Sequence, residues 1–220
     1  MFKRNNHQPK TIGDLVIPDP KTRQRLEEYA SGTRSGHMIM HGPKGTGKTS
    51  AANIISKQHE AQNDNAPMQL GDFPSYEGAK MTDKDINGLS QEWHWRRLCG
   101  MQPPTIVINE LDKMAPPMLE KLKAEMDQYE ERGFGECQVV ATTNNLHKLP
   151  PALADRFDKI EMPAIQPQQF EERVREILAA EEIVISETEL KNILATTNGS
   201  FRDALSAIED IVITKRKPKP

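Results

Sequence analysis

Residues Gly42-Pro43-Lys44-Gly45-Thr46-Gly47-Lys48-Thr49 match the spacing G-x-x-x-x-G-K-[S/T], and nothing else in the chain restricts its fold as much. The motif lies between a short apolar run, His37-Met38-Ile39-Met40, and a stretch of helical composition from Ser50 to Gln58. A strand, a glycine-rich turn and a helix in that order form a phosphate cradle. Gly45 and Gly47 let backbone N–H groups turn inward, and the helix offers its positive end to the same anion. Lys48 is then expected to reach the β- and γ-phosphates and Thr49 to ligate Mg²⁺, with Ser50 beside them. A flexible glycine loop that happens to precede a lysine is the bland alternative, and the flanking strand and helix argue against it.

The rest of the chain repeats the strand–helix alternation, which predicts a parallel α/β sheet, the three-layer sandwich of a P-loop protein. Thr105-Ile106-Val107-Ile108 reads as a second buried strand, and Pro116-Pro117 opens a helix with Leu119, Leu122, Met126 and Tyr129 on one face, closed by Gly133 and Gly135. Gln138-Val139-Val140-Ala141 reads as a third strand. A helix over Lys21 to Ser31 precedes the first strand, and another is expected around Asp83 to Cys99 in the poorly patterned stretch from Asn63 to Pro104. After Pro163 the pattern becomes purely helical. Phe170, Val174, Ile177 and Leu178 share a face, Ser186 and Glu189 form a capping box, and Ser200 can cap a helix bearing Leu205, Ile208 and Val212. The expected organisation is a flexible basic N-terminus (1–10), an α/β nucleotide domain (11–163), a three-helix lid (164–213) and a disordered basic tail (214–220).

The 220 residues allow one good-sized core with a small satellite. A charged fraction of 28% and a net charge of -3 describe an ordinary polar-surfaced globular chain with no electrostatic signature for nucleic acid. The longest apolar runs fall far short of the ~20 residues that span a bilayer, and Met1-Phe2-Lys3-Arg4 has no apolar signal core, so a cytoplasmic protein is expected. Cys99 and Cys137 suggest neither a disulfide framework nor a zinc site.

ATP hydrolysis needs groups that hold the metal and orient water, and these belong at the end of the second strand. Glu110 stands there. Asn109 before it brings no negative charge to a metal but can accept a hydrogen bond from a metal-bound water. Asp112 is expected to cap the following helix or face solvent.

Taken together, these segments resemble the AAA+ ATPases, most closely the small subunits of sliding-clamp loaders. The resemblance covers about residues 11 to 212. It rests on Thr11 to Val16, the Gly42 to Thr49 loop, Val107 to Met114, Ala141 to Asn144, Lys148 to Arg156 and Gly199 to Arg202. It implies ATP and Mg²⁺ as ligands, Glu110 as the catalytic carboxylate, Asn144 as the first sensor, Arg156 as an arginine finger acting in a neighbouring subunit, and Arg202 as a lid-borne second sensor. Adenine is expected near Leu15 to Ile17, with Val16 and Ile17 as the contacts. Two departures stand out: Asn109 replaces the family's Asp, implying slow turnover, and the sequence stops after the lid without a collar domain, implying a different mode of oligomerisation.

The resemblance also implies partners: copies of itself or related AAA+ subunits engaged through Arg156, DNA, and a sliding clamp or other protein substrate, with no membrane. Arg96, Arg97, Lys121 and Lys123 are the candidate phosphate contacts, against the plainer reading of a solvated charged face. In Trp93-His94-Trp95 one tryptophan is expected in the core. Two functions follow: an oligomeric ATPase that loads or remodels protein on DNA, or an ATP-dependent assembly switch of transposition or defence type with slow hydrolysis. A solo P-loop kinase would leave Arg156 without a role.

Overall fold

The computed structural model describes residues 4–61, 75–99, 105–131 and 138–216. Gly133, Gly135 and Cys137 lie outside them. Five strands, β1 (Met38–His41), β2 (Ser75–Glu77), β3 (Thr105–Asn109), β4 (Gln138–Thr143) and β5 (Asp158–Glu161), form one parallel sheet in the order β2-β3-β4-β1-β5. Met38 to Met40, Ile106 to Ile108 and Val139 to Ala141 are fully buried, because side chains of a central strand alternate between two covered faces. Met38, Met40, Val107 and Val140 pack under α1 (Pro20–Ala30) and α2 (Lys48–Ala61). Ile39, Ile106, Ile108, Val139 and Ala141 pack under α3 (Asp83–Leu98) and α4 (Pro116–Glu131) on the other face.

Local chemistry sets the helix starts. Asp19 accepts from the backbone N–H groups of Lys21 and Thr22, and Pro20 occupies the first helical position of α1. A short helix, α5 (Pro151–Ala154), leads into β5. Beyond it, α6 (Glu171–Ala180), α7 (Glu187–Thr196) and α8 (Phe201–Arg216) enclose a separate apolar cluster around Phe170, Val174, Leu190, Ile193 and Ile208. Ser186 and Glu189 cap α7 reciprocally.

Parts of the two terminal segments carry regular structure. Arg4–His7 form a 3-10 turn, and the buried His7 ring meets Glu181 at 2.6 Å. At the other end α8 continues through Arg216, because Lys215 finds Glu189 and Arg216 finds Glu181. Lys215 and Arg216, placed by sequence in a basic tail, are tied to carboxylates of the helical lobe.

The candidate nucleotide site

The cradle lies at the carboxyl edge of the sheet, where β1 runs into α2, and ligands of open parallel sheets bind there. Gly45 and Gly47 have φ of +83 and +90, conformations that side chains rarely adopt, which turns the loop around the mouth of α2. Gly42 approaches the chain just after β5 so closely that a Cβ would lie 2.1 Å from the Met162 carbonyl oxygen. Lys48 is buried, and its ammonium donates to the carbonyls of Gly42 (2.8 Å) and Pro43 (2.6 Å). Thr46 bonds the Pro43 carbonyl through its hydroxyl. Burial pushes the Lys48 pKa down to about 8, opposed by the fields of Asp112 and Glu110. A desolvated ammonium with a third N–H to give fits a phosphate oxygen, so the residues suit a nucleotide.

A cleft of about 780 Å³ opens over this loop, lined by Lys44, Gly45, Gly47, Lys48, Thr49 and Ser50. The same cleft gathers Glu110 and Thr142 from the ends of β3 and β4, Asn144 just beyond, and Phe201, Arg202 and Leu205 from the lid. Four residues singled out in the sequence, Thr49, Glu110, Asn144 and Arg202, therefore share one cavity. The lid touches the loop directly: Phe201 N–H donates to the Gly45 carbonyl (3.1 Å), and a Cβ on Gly45 would fall 2.1 Å from Ser200 Oγ.

Asn109 is not among the residues lining the cleft. It is buried, with Nδ2 donating to Ser75 Oγ (3.3 Å) and Oδ1 accepting from Thr142 Oγ1 (3.3 Å). Thr142 Oγ1 in turn accepts from the Glu110 backbone N–H (3.1 Å), which holds Glu110 at a left-handed φ of +52. Lys113 pairs with the Glu110 carboxylate at 2.6 Å. Asp112 neither caps a helix nor faces solvent alone: Oδ1 accepts from Thr143 Oγ1 (2.7 Å) and from Asn144 N–H (3.4 Å), tying the end of β4 to the turn after β3. Among the described residues no group of three or more His, Cys, Asp or Glu could by itself hold a metal ion. A Mg²⁺ bound through one or two protein oxygens and nucleotide phosphates fits that donor set.

Other expectations shift. Val16 lines a small adjoining cavity with Pro9, Leu15, Gly47 and Phe201, whereas Ile17 is buried in the α1–α2 core and lines neither cavity. Gln8, Pro9 and Lys10 line the large cleft, a contribution hidden from sequence reasoning because it depends on how the N-terminal arm crosses the lid. Arg96 is buried and paired with Glu92, so it is not available to a phosphate backbone; Lys121 is tied to Asp83, and Lys123 to Asp127 at 2.9 Å. The Arg97 side chain lies outside the described residues. Trp93 is fully buried and Trp95 is 65% exposed. Arg156 is exposed, does not line the cleft, and meets Asp127 on α4.

Residues 38–163 match the model of the ATPase family associated with various cellular activities (AAA). The chain belongs to the AAA family. This AAA chain is 21% identical over 213 residues to replication factor C subunit 3 of Saccharomyces cerevisiae, covering 96% of this chain and 60% of that protein. It is 22% identical to the replication factor C small subunit of Archaeoglobus fulgidus (92% and 61% covered) and 24% identical to DNA polymerase III subunit tau of Bacillus subtilis (93% and 38%). It thus spans at most about three fifths of these relatives' lengths. In fold it is similar to the Thermotoga maritima RuvB Holliday junction branch migration motor, with a TM-score of 0.72 at 16% identity over 97% of this chain and 68% of that one. No helix among the described residues is long and apolar enough to cross a membrane.

Proposed function

We propose that this AAA ATPase binds Mg²⁺–ATP on the Gly42 to Thr49 loop and hydrolyses it as an oligomer that loads or remodels a protein on DNA. The observation that carries the proposal is the meeting of Lys48, Thr49, Glu110, Asn144 and Arg202 at one cleft while Arg156 lies outside it. Lys48 neutralises the β- and γ-phosphates, and Thr49 would hold the metal; Asn109, expected to reach it through water, is instead buried off the cleft on Ser75 and Thr142 and is left out of the metal's ligands. Mg²⁺ bound there would supply charge neutralisation to the nucleotide. Glu110 orients and deprotonates the attacking water, Asn144 fixes that water or the γ-phosphate, and Arg202 reports nucleotide to the lid. Arg156 completes the site of an adjacent copy or related AAA+ subunit. A sliding clamp or another DNA-associated protein is the substrate class, an assignment supported by the names of the replication factor C and polymerase III relatives.

A second reading, an ATP-dependent assembly switch with slow hydrolysis, is favoured by one observation: both ends of the uncharged Asn109 side chain are already occupied, by Ser75 and Thr142. Steady-state hydrolysis against protein concentration, with and without primed duplex DNA, separates the two for the wild type, Glu110→Gln and Arg156→Ala. A per-subunit rate that climbs with concentration, responds to DNA and collapses in both variants supports the oligomeric motor. Tight ATP binding with negligible turnover under every condition sinks it and leaves the switch.

A further inference from the structure

The Arg156 guanidinium is not loose on the surface. Asp127 grips it side-on, Oδ1 accepting from Nε at 2.6 Å and Oδ2 from Nη2 at 3.0 Å. Lys123, one turn earlier on α4, donates to the same Oδ2 at 2.9 Å, so the carboxylate is fixed from a second side. The bonds from these two cations, Arg156 foremost, hold the Asp127 pKa at about 2, and the group stays ionised throughout the working range. The backbone is equally constrained. Arg156 N–H donates to the Leu153 carbonyl at 3.0 Å, and Leu153 and Phe157 on either side are buried in the α3–α4 core.

A guanidinium carries five N–H donors in a rigid plane, and a side-on carboxylate uses two of them. Both Nη1 hydrogens and one on Nη2 remain, on the edge turned away from Asp127, and that edge is the one a phosphate would take. The geometry points to Asp127 as the positioning residue of the arginine finger: it aims the free edge of Arg156 outward for a nucleotide held by a neighbouring copy. The inference rests on the proposed trans role of Arg156. It gives α4 a function beyond packing, because this helix follows the Glu110 turn of one site and carries the carboxylate that orients the finger for another.

A freely rotating arginine would spend most of its time misaligned, and a misplacement of about 1 Å can lower a rate about 100-fold. Asp127→Asn keeps the shape and removes the charge, and Asp127→Glu keeps the charge on a longer stem. Hydrolysis is measured for each alone and mixed with Lys48→Ala subunits, which lack a working loop but carry an intact finger. Nucleotide affinity and sedimentation are measured in parallel. Asp127→Asn is expected to lose about tenfold or more in turnover, keep wild-type ATP affinity and assembly, and regain hydrolysis in the mixture, where an intact finger faces its site. Asp127→Glu recovers part of the rate. A purely structural role for Asp127 would give a deficit that mixing does not relieve, and that outcome overturns the inference, as does a wild-type rate in Asp127→Asn. Arg156→Ala run in the same way tests the underlying reading: if it keeps the wild-type rate, the trans finger itself is wrong. If it collapses and is rescued while Asp127→Asn is silent, only the positioning role fails.

Discussion

Replacing Gly45 by alanine loads two separable strains onto the point where the lid meets the phosphate loop. The first is torsional. Gly45 sits at φ +83, where an L side chain costs about 1–2 kcal/mol. The second is steric: the new Cβ would lie 2.1 Å from Ser200 Oγ and 2.9 Å from Ser200 Cα, and the backbone atom yields only if the start of α8 moves. Moving it breaks the 3.1 Å bond from Phe201 N–H to the Gly45 carbonyl, which contributes about 0.5–1.5 kcal/mol. The loop relaxes away from its cradling form, and a nucleotide must restore it. The two terms sum to about 1.5–3.5 kcal/mol, and at about 1.4 kcal/mol per factor of ten ATP affinity falls roughly 10- to 300-fold. Adding Ser200→Gly removes the overlapping hydroxymethyl but leaves the torsional term and the 2.9 Å approach to the residue-200 Cα, so the double variant should recover part of the loss and still sit at least roughly 5- to 30-fold below wild type. Calorimetric or fluorescent-nucleotide titration of the three variants measures both steps. Gly45→Ala binding ATP within about threefold of wild type, or no recovery on adding Ser200→Gly, refutes the closed loop–lid contact as the binding geometry.

Three further outcomes are expected. A phosphate bound at Lys48 raises its pKa from about 8 toward the ordinary lysine range, so ATP binding should take up a proton around pH 8.5 and weaken as pH rises through about 8; titrations in buffers of different ionisation heat that find no uptake would contradict this. Lys113→Met releases the Glu110 carboxylate from a partly exposed pair, and turnover at saturating ATP should rise about 2- to 5-fold with affinity unchanged, so a fall would show that the lysine aids the carboxylate. Asn109→Asp buries a carboxylate between the Ser75 and Thr142 hydroxyls, off the cleft, lowering stability by about 1–3 kcal/mol and leaving the Mg²⁺ dependence of hydrolysis unchanged; a shift of that dependence to lower concentration would bring this position to the metal.

How much of this could be read from sequence followed burial and locality. β1, β3 and β4 were legible as apolar runs because both of their faces are covered. The edge strands were not: β5, Asp158-Lys159-Ile160-Glu161, buries only Ile160, and β2 is Ser-Tyr-Glu with none buried, patterns no different from a loop. The lid helices were legible from the Ser186–Glu189 box and the spacing of Val174, Ile177 and Leu178. The end of α8 was not, since Lys215 is held by the Glu189 carboxylate, 26 positions away, and Arg216 by the Glu181 carboxylate and backbone carbonyl, 35 positions away.

The same division runs through the site. A phosphate loop is written in eight consecutive residues, so Gly42 to Thr49 needed no tertiary information. The groups that orient the other candidate residues are contributed by neighbours in space. Thr142 supports Asn109 and Glu110 because β4 lies beside β3, and Asp112 reaches Asn144 across the same pair of strands. Arg156 could be picked out by its place in a motif, but its carboxylate lies 29 residues earlier on a helix whose apolar pattern concerned only the opposite face. An amphipathic helix advertises its buried residues through their period and says nothing about which exposed acid a distant arginine will choose. That choice requires Leu153 and Phe157 to anchor the turn against the core beneath α4. Chemistry carried by one segment is therefore visible before folding, and chemistry that depends on aiming one side chain with another becomes visible only once the sheet order has brought them together.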